Sequence, residues 1–182
     1  REQIGSRSDS YWSDGPRKAL MEIYRIQGDT AAYNAELYNM MVAHTGDEKY
    51  YLEYKALFTA EKWKVRWEEL LNEFADKLPA INLWLSIEDR YDLIMDNAEP
   101  DNEYVIDAYG KKLFSMYPDR CLKVLANAAD RQARTSKNRR DYKYIARTLK
   151  KIATRPGGRE LAAELAAKFR AQYPRRSAMI DE

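Results

Sequence analysis

Residues 141–182 spell two amphipathic helices of similar length around a Pro156-Gly157-Gly158 break, closed by Tyr173-Pro174-Arg175-Arg176. A break of this kind ends one helix and lets the chain reverse into the next. A lone two-helix hairpin cannot bury its apolar face, so such units stack on others like themselves. This stretch therefore predicts the end of an array of helix hairpins. It points to a binding or scaffold role.

The rest of the chain carries the same period. Apolar residues recur every three or four positions and almost never every two, which argues against strands. Polar residues 1–15, rich in Ser, Gly and Arg, read as a flexible lead-in, with helical periodicity starting at Pro16. Helices are predicted to about Gln27, then from Asp29 or Thr30 to about His44, and from Asp47 through Tyr54. Gly28-Asp29 and Gly46-Asp47 each precede a tyrosine, Tyr33 and Tyr51, by the same intervals. In both copies the glycine is expected to close a helix, the aspartate to cap the next, and the tyrosine to pack one turn in. Thr59 opens a helix whose buried stripe is Trp63, Trp67, Leu70, Leu71, Phe74 and Leu78. Pro79 opens another that runs past Ile94 and is apolar nearly all round in its first half. Helices over about 101–117 and 119–133 follow, separated by Pro118. The aromatic stripe Trp63-Trp67-Phe74 reads first as core and second as a groove for a partner helix.

Length and composition set bounds. A chain of 182 residues buries roughly 70 % of its unfolded surface and needs no disulfide or metal to hold a core. No apolar run approaches the ~18 residues of a membrane span, and no signal-peptide pattern is present, so no membrane partner is expected. The single Cys121 excludes an internal disulfide and suits a reducing, cytoplasmic compartment. The chain starts at Arg1 and reads as a fragment of a longer protein, with 16–182 as a single α-helical repeat domain.

Three features of the sequence bear on catalysis or metal binding. One histidine limits Ser-His-Asp or Cys-His catalysis to His44, which lies where a helix ends and reads better as a cation on the helix dipole. Cys121 lies near a helix start, where a thiolate is stabilised, but a small buried hydrophobe is the plainer reading. Asp89, Asp92 and Asp96 fall at i, i+3 and i+7, a spacing that puts three carboxylates on one helix face and can hold Mg²⁺. A helical Mg²⁺ enzyme would also need a second acid cluster, which the sequence lacks, so a solvated acidic face is preferred. No phosphate-binding glycine loop is present, and no catalytic residue, cofactor, metal or small-molecule substrate is expected.

Charge distribution supplies the best binding candidate. The chain has 31 basic and 29 acidic residues, a net charge of +2. Residues 131–159 hold eleven bases and one acid, whereas 86–109 hold eight acids and one base. At 100° per residue, Tyr142, Ile145, Leu149 and Ile152 form an apolar stripe. Arg140, Lys143, Arg147, Lys150 and Lys151 stand nearly opposite, with Arg139 beside them. Such a face suits phosphate backbones, because Lys and Arg release condensed counterions. The competing readings are an ordinary solvated face and an internal match to the acidic segment. A nucleic-acid surface requires the five cations to be open, with no acid within about 8 Å. A scaffold lets acidic and basic segments meet.

The last third resembles the C-terminal helical region of bacterial SWIM zinc finger proteins. The resemblance is carried by Tyr117-Pro118-Asp119-Arg120, Arg140-Asp141-Tyr142-Lys143, Ile145 to Lys151, Gly157-Gly158, the Leu161–Tyr173 helix and the ending Tyr173 to Glu182. In that family a Cys- and His-bearing zinc motif, thought to bind DNA or protein, lies N-terminal to the helices. This chain has no such motif, so the resemblance implies the helical companion alone, with zinc expected only in a preceding part. The expected fold is all-α, a short TPR-like solenoid of about eight to ten antiparallel helices. The expected function is a non-catalytic interaction scaffold for a protein partner. The alternative is a nucleic-acid accessory surface on the basic helix, residues 139–151.

Overall fold

A computed structural model of the chain describes the backbone of residues 9–174 and the side chains from Asp14 onward. It is all-α. Among the described residues there are ten α-helices, one 3-10 segment and no strand. They are α1 (Asp9–Gln27), α2 (Thr30–Ala43), α3 (Glu48–Lys55), α4 (Ala60–Glu73), the 3-10 segment Ala75–Ile81, α5 (Asn82–Ile87), α6 (Tyr91–Ala98), α7 (Glu103–Met116), α8 (Pro118–Thr135), α9 (Arg139–Ala153) and α10 (Gly158–Gln172).

Side-chain caps set several starts. Asp29 accepts the Ala32 N–H at 3.0 Å, Asp47 accepts the Lys49 N–H at 2.9 Å and Thr59 Oγ1 accepts the Lys62 N–H at 3.4 Å. Each satisfies an amide that has no partner inside its helix. The two Gly-Asp copies differ, however. Gly28 is left-handed (φ 71) whereas Gly46 is not, and Tyr51 is fully buried whereas Tyr33 is half-buried.

Two boundaries depart from the sequence reading. Helix α1 begins at Asp9 and carries Gly15 and Pro16 inside it, seven residues ahead of the expected start, at the loss of one backbone hydrogen bond. The helix expected from Pro79 through Ile94 is three pieces. Its first turn is 3-10, and the chain turns again at Asp89, whose φ is +54. Residues 1–8 of the lead-in and 175–182 of the chain's ending lie outside the described residues.

Contacts divide the chain into two compact units, Arg1–Asp89 and Arg90–Glu182. In the first, α1 packs on α2, α2 on α3, and α3 on α5. Its core is aromatic. The Tyr51 ring stacks on Trp84 at 5.3 Å and meets Trp63 and Trp67 edge-on at 5.7 and 6.3 Å. Phe74 meets Trp84 edge-on at 5.2 Å. The aromatic stripe of α4 is therefore core, with Trp63 and Trp67 buried and Phe74 half-buried.

In the second unit α6, α7, α8 and α9 each pack on the helix that follows, and α8 also touches α6 and α10. Helix α8 is the hub. It buries Cys121, Leu122, Val124, Leu125, Ala128, Ala129 and Ala133, and its alanines let neighbouring backbones approach. The Gly157-Gly158 pair closes the α9–α10 hairpin with two different demands. Gly157 is left-handed (φ 73), and a Cβ on Gly158 would run into the Ile152 carbonyl. Glycine is required at the first for its backbone and at the second for space.

Candidate functional site

Helix α9 is positioned by its apolar stripe. Tyr142, Ile145, Thr148 and Ile152 are buried, and Asn138 caps the helix by accepting the Asp141 N–H at 3.1 Å. Of the predicted stripe Leu149 is only half-buried, and Thr148 is buried beside it. Its hydroxyl donates to the Tyr144 carbonyl, so a polar residue sits there without an unpaired group. Opposite lie Arg140, Lys143, Arg147 and Lys150, all exposed as expected, with Arg139 also exposed.

Lys151 does not belong with them. It is 60° from Thr148 on the helical wheel, which places it on the shoulder facing α7, where its ammonium binds the Asp107 carboxylate. Tyr144 shares that shoulder and donates its hydroxyl to Glu103 at 3.0 Å. Arg131 of α8 binds Glu103 at 2.8 Å and Asp101 at 3.2 Å. Acidic and basic segments thus meet, centred on Glu103, which is 1 % exposed. Glu103 lies in the first turn of α7, where the helix dipole favours an anion. Burial and the bond to Glu103 push the Tyr144 phenol up to about 12. The pairs Glu103–Tyr144 and Asp107–Lys151 run in the same order along both helices, so α7 and α9 point the same way.

Other bases are spent nearby. Arg134 and Lys168 bind Asp130, and Arg155 lies 4.5 Å over the Phe114 ring. What remains open is the start of α9. Arg140, Lys143 and Arg147 have no ion-pair partner among the described residues. With Tyr104, Gln132, Asp141 and Tyr144 they line a half-open groove of about 430 Å³. Tyr104 is 68 % exposed although it follows the buried Glu103, because one residue turns the helix by 100°.

The other candidates are tied up. His44 Nε2 lies 2.9 Å from Asp14 Oδ1 at the C-terminal end of α2. Cys121 is buried beside the Met95 sulfur, and burial pushes its thiol up to about 11. The three aspartates do not share a helix face, contrary to the expected spacing. Asp89 sits in the turn before α6, Asp92 is bound by Arg90 at 2.9 Å, and Asp96 by Arg120 at 2.6 Å. Arg90 holds the Asp92 carboxyl below the usual carboxylate range. Among the described residues no three His, Cys, Asp or Glu side chains converge as a cation site. No helix there is long and apolar enough to cross a membrane.

Sequence reasoning missed Glu88. Its Oε1 accepts from Tyr51 Oη at 2.8 Å, Lys55 Nζ at 2.6 Å and Trp63 Nε1 at 3.3 Å. The only available signal was an acid directly after the apolar run 81–87. Comparison of the chain with protein-family models, with curated proteins and with solved structures gives no match.

Proposed function

We propose that this chain is a non-catalytic helical interaction domain of a SWIM-like protein, a short TPR-like solenoid of hairpins that binds a protein partner. The observation that carries the reading is the lock around Glu103. It spends the acids at the start of α7 on bases of α8 and α9 and so ties three successive helices together. Helices packed on their sequence neighbours, with α7 and α9 pointing the same way, support the hairpin-array reading of this unit. The groove at the start of α9 is the surface left to a partner, centred on Arg140, Lys143 and Arg147, with Arg139 and Lys150 beside it. Lys151 belongs to the lock.

The test is affinity capture by the whole chain from a nuclease-treated bacterial extract, with Arg140→Glu/Arg147→Glu as the control. A protein retained by the wild type and lost from the equally folded variant is the expected result. No such difference overturns the reading.

A second reading keeps a narrower form. Lys151 is paired and Asp141 lines the groove, so the open surface of five cations without an acid is not met. Arg140, Lys143, Arg147 and Lys150 are nevertheless exposed and suit phosphates as well as acidic side chains. As a nucleic-acid accessory surface, four exposed cations on a duplex give a log–log salt slope near about −3.6. The absence of any binding at low salt excludes it.

A further inference from the structure

We infer that the groove between α7, α8 and α9 is a site for single-stranded nucleic acid, with a base stacked on Tyr104 and backbone phosphates held by Arg140, Lys143 and Arg147. The inference rests on the nucleic-acid reading above and narrows it from a charged face to a groove with an aromatic platform.

Three observations favour a single strand. First, the cations stand at i, i+3 and i+7 on α9, so they track a line of about 10 Å along one wall and not a broad patch. Second, Tyr104 stands in the same groove with 68 % of its surface exposed. A large aromatic left in water beside unpaired cations is the combination that single-strand sites use, since every base has a face to stack while the cations follow the backbone. Third, the groove is half-open and of small-ligand size, which admits a splayed nucleotide but not the stacked interior of a duplex. Gln132 adds a side-chain amide to the wall, able to donate to and accept from base edges.

The groove also contains an acid. Asp141 accepts the Lys137 N–H at 3.1 Å, so its carboxylate is engaged in the turn before α9 and lowers the groove's charge from three to two. Tyr144 is fixed by its bond to Glu103 and forms a rigid side to the groove. An acidic protein segment would use the cations equally well but gains little from an exposed ring and an amide beside them.

The experiment is fluorescence anisotropy of a labelled oligo(dT) on the whole chain at about 50 mM salt, alongside a labelled dA·dT duplex and unlabelled polyglutamate as competitor. The expected result has four parts. The single strand binds more tightly than the duplex. Tyr104→Ala weakens it about ten-fold or more, and Tyr104→Phe does not. Arg140→Gln/Arg147→Gln makes the log–log salt slope shallower by about 1.4. Polyglutamate at matched charge competes poorly. All these substitutions fall at exposed positions, and unchanged circular dichroism separates binding loss from unfolding.

Equal binding of duplex and single strand, unaffected by Tyr104→Ala, overturns the groove while leaving the nucleic-acid face standing. Displacement by polyglutamate as effective as by unlabelled oligo(dT) overturns it in favour of an acidic protein partner. No binding of either nucleic acid removes both the groove and the reading beneath it.

Discussion

Each unit of this chain shelters a glutamate, and the two sit at opposite ends of their helices. Glu88 follows the last residue of α5, where the helix dipole disfavours an anion. Three donors from α3 and α4 converge on one of its oxygens. Glu103 lies in the first turn of α7, where the dipole helps, and it takes one phenol on one oxygen and one guanidinium on the other. The first carboxylate is itself half-buried, its side chain 15 % exposed against 2 % for the second, but its donors belong to an aromatic core. Its Tyr51 partner is fully buried, and burial drives that phenol far above its ordinary range. The second lies at the edge of an alanine- and leucine-rich stack, with Arg131 still 42 % exposed. One glutamate organises the inside of its unit. The other joins three helices and, by using up neighbouring charges, decides which part of α9 stays open.

The sharpest way to break this contrast is to remove the aromatic centre. Trp84 is 0 % exposed and touches both Tyr51 and Phe74. Trp84→Ala should cost about 3–5 kcal/mol in urea denaturation. A loss below about 1 kcal/mol would mean that the first unit is not built around this ring. Trp84→Phe is the control, because it loses ring volume but also removes a buried indole N–H that has no acceptor among the described residues.

Next come the glutamates. Glu88→Ala leaves the buried Tyr51 hydroxyl without its acceptor and should cost about 2–4 kcal/mol. Glu103→Ala should cost less, about 1.5–3 kcal/mol, because Arg131 can turn to water. The reverse order in parallel denaturation curves would refute the argument from burial of the partners. Gly158→Ala belongs to the same scale. Its new Cβ meets backbone and not a flexible side chain, so a loss of about 1–3 kcal/mol is expected. Thermal melting of Gly158→Ala beside Gly28→Ala separates crowding from backbone strain, since Gly28 is left-handed with open space around it.

The two units also differ in what their residues disclosed beforehand. Periodicity, Pro118 and the Gly-Gly break fixed α7 to α10 of the second unit closely, because each signal is local. Helix α9 starts at the expected turn, and its buried stripe keeps Tyr142, Ile145 and Ile152 of the predicted one, with Thr148 buried where Leu149 is only half-buried. The continuous helix expected across 79–94 failed because its break depends on Asp89 taking a left-handed turn, which an Asp-Arg-Tyr-Asp run does not announce. The same turn dissolved the three-aspartate face. Within the basic face the error was Lys151, a shoulder position on the wheel whose side is decided by Asp107 on another helix. Tyr104 was invisible as a groove residue for the same reason. A single helix's pattern says which side is apolar, not which neighbour's side chains complete a surface.

The finest test of the contrast is titration, where the effects are smallest. Burial, then the bond to Glu73, pushes the Tyr38 phenol up to about 12, and burial with Glu103 does the same for Tyr144. A folded pKa above the unfolded value near about 10 means the stabilisation is complete below pH 10 and is lost as pH rises toward 12. Carboxylates act in the opposite direction. Arg90 lowers Asp92, Arg120 lowers Glu99, and the bonds from Tyr38 and Arg66 outweigh burial to lower Glu73. Their contribution is full above about pH 4 and fades below it. Stability should therefore be flat from about pH 5 to 9 and fall on both sides, modestly, because these carboxylates are largely solvated. Ultraviolet titration of tyrosinate sharpens the comparison by unit. Tyr38→Phe and Tyr144→Phe should each delete one late-titrating phenol, and Glu103→Gln should bring the Tyr144 phenol down while leaving Tyr38 where it was. A Tyr144 phenol that stays high in Glu103→Gln would show that burial alone sets it, and the lock between α7 and α9 would lose its phenol.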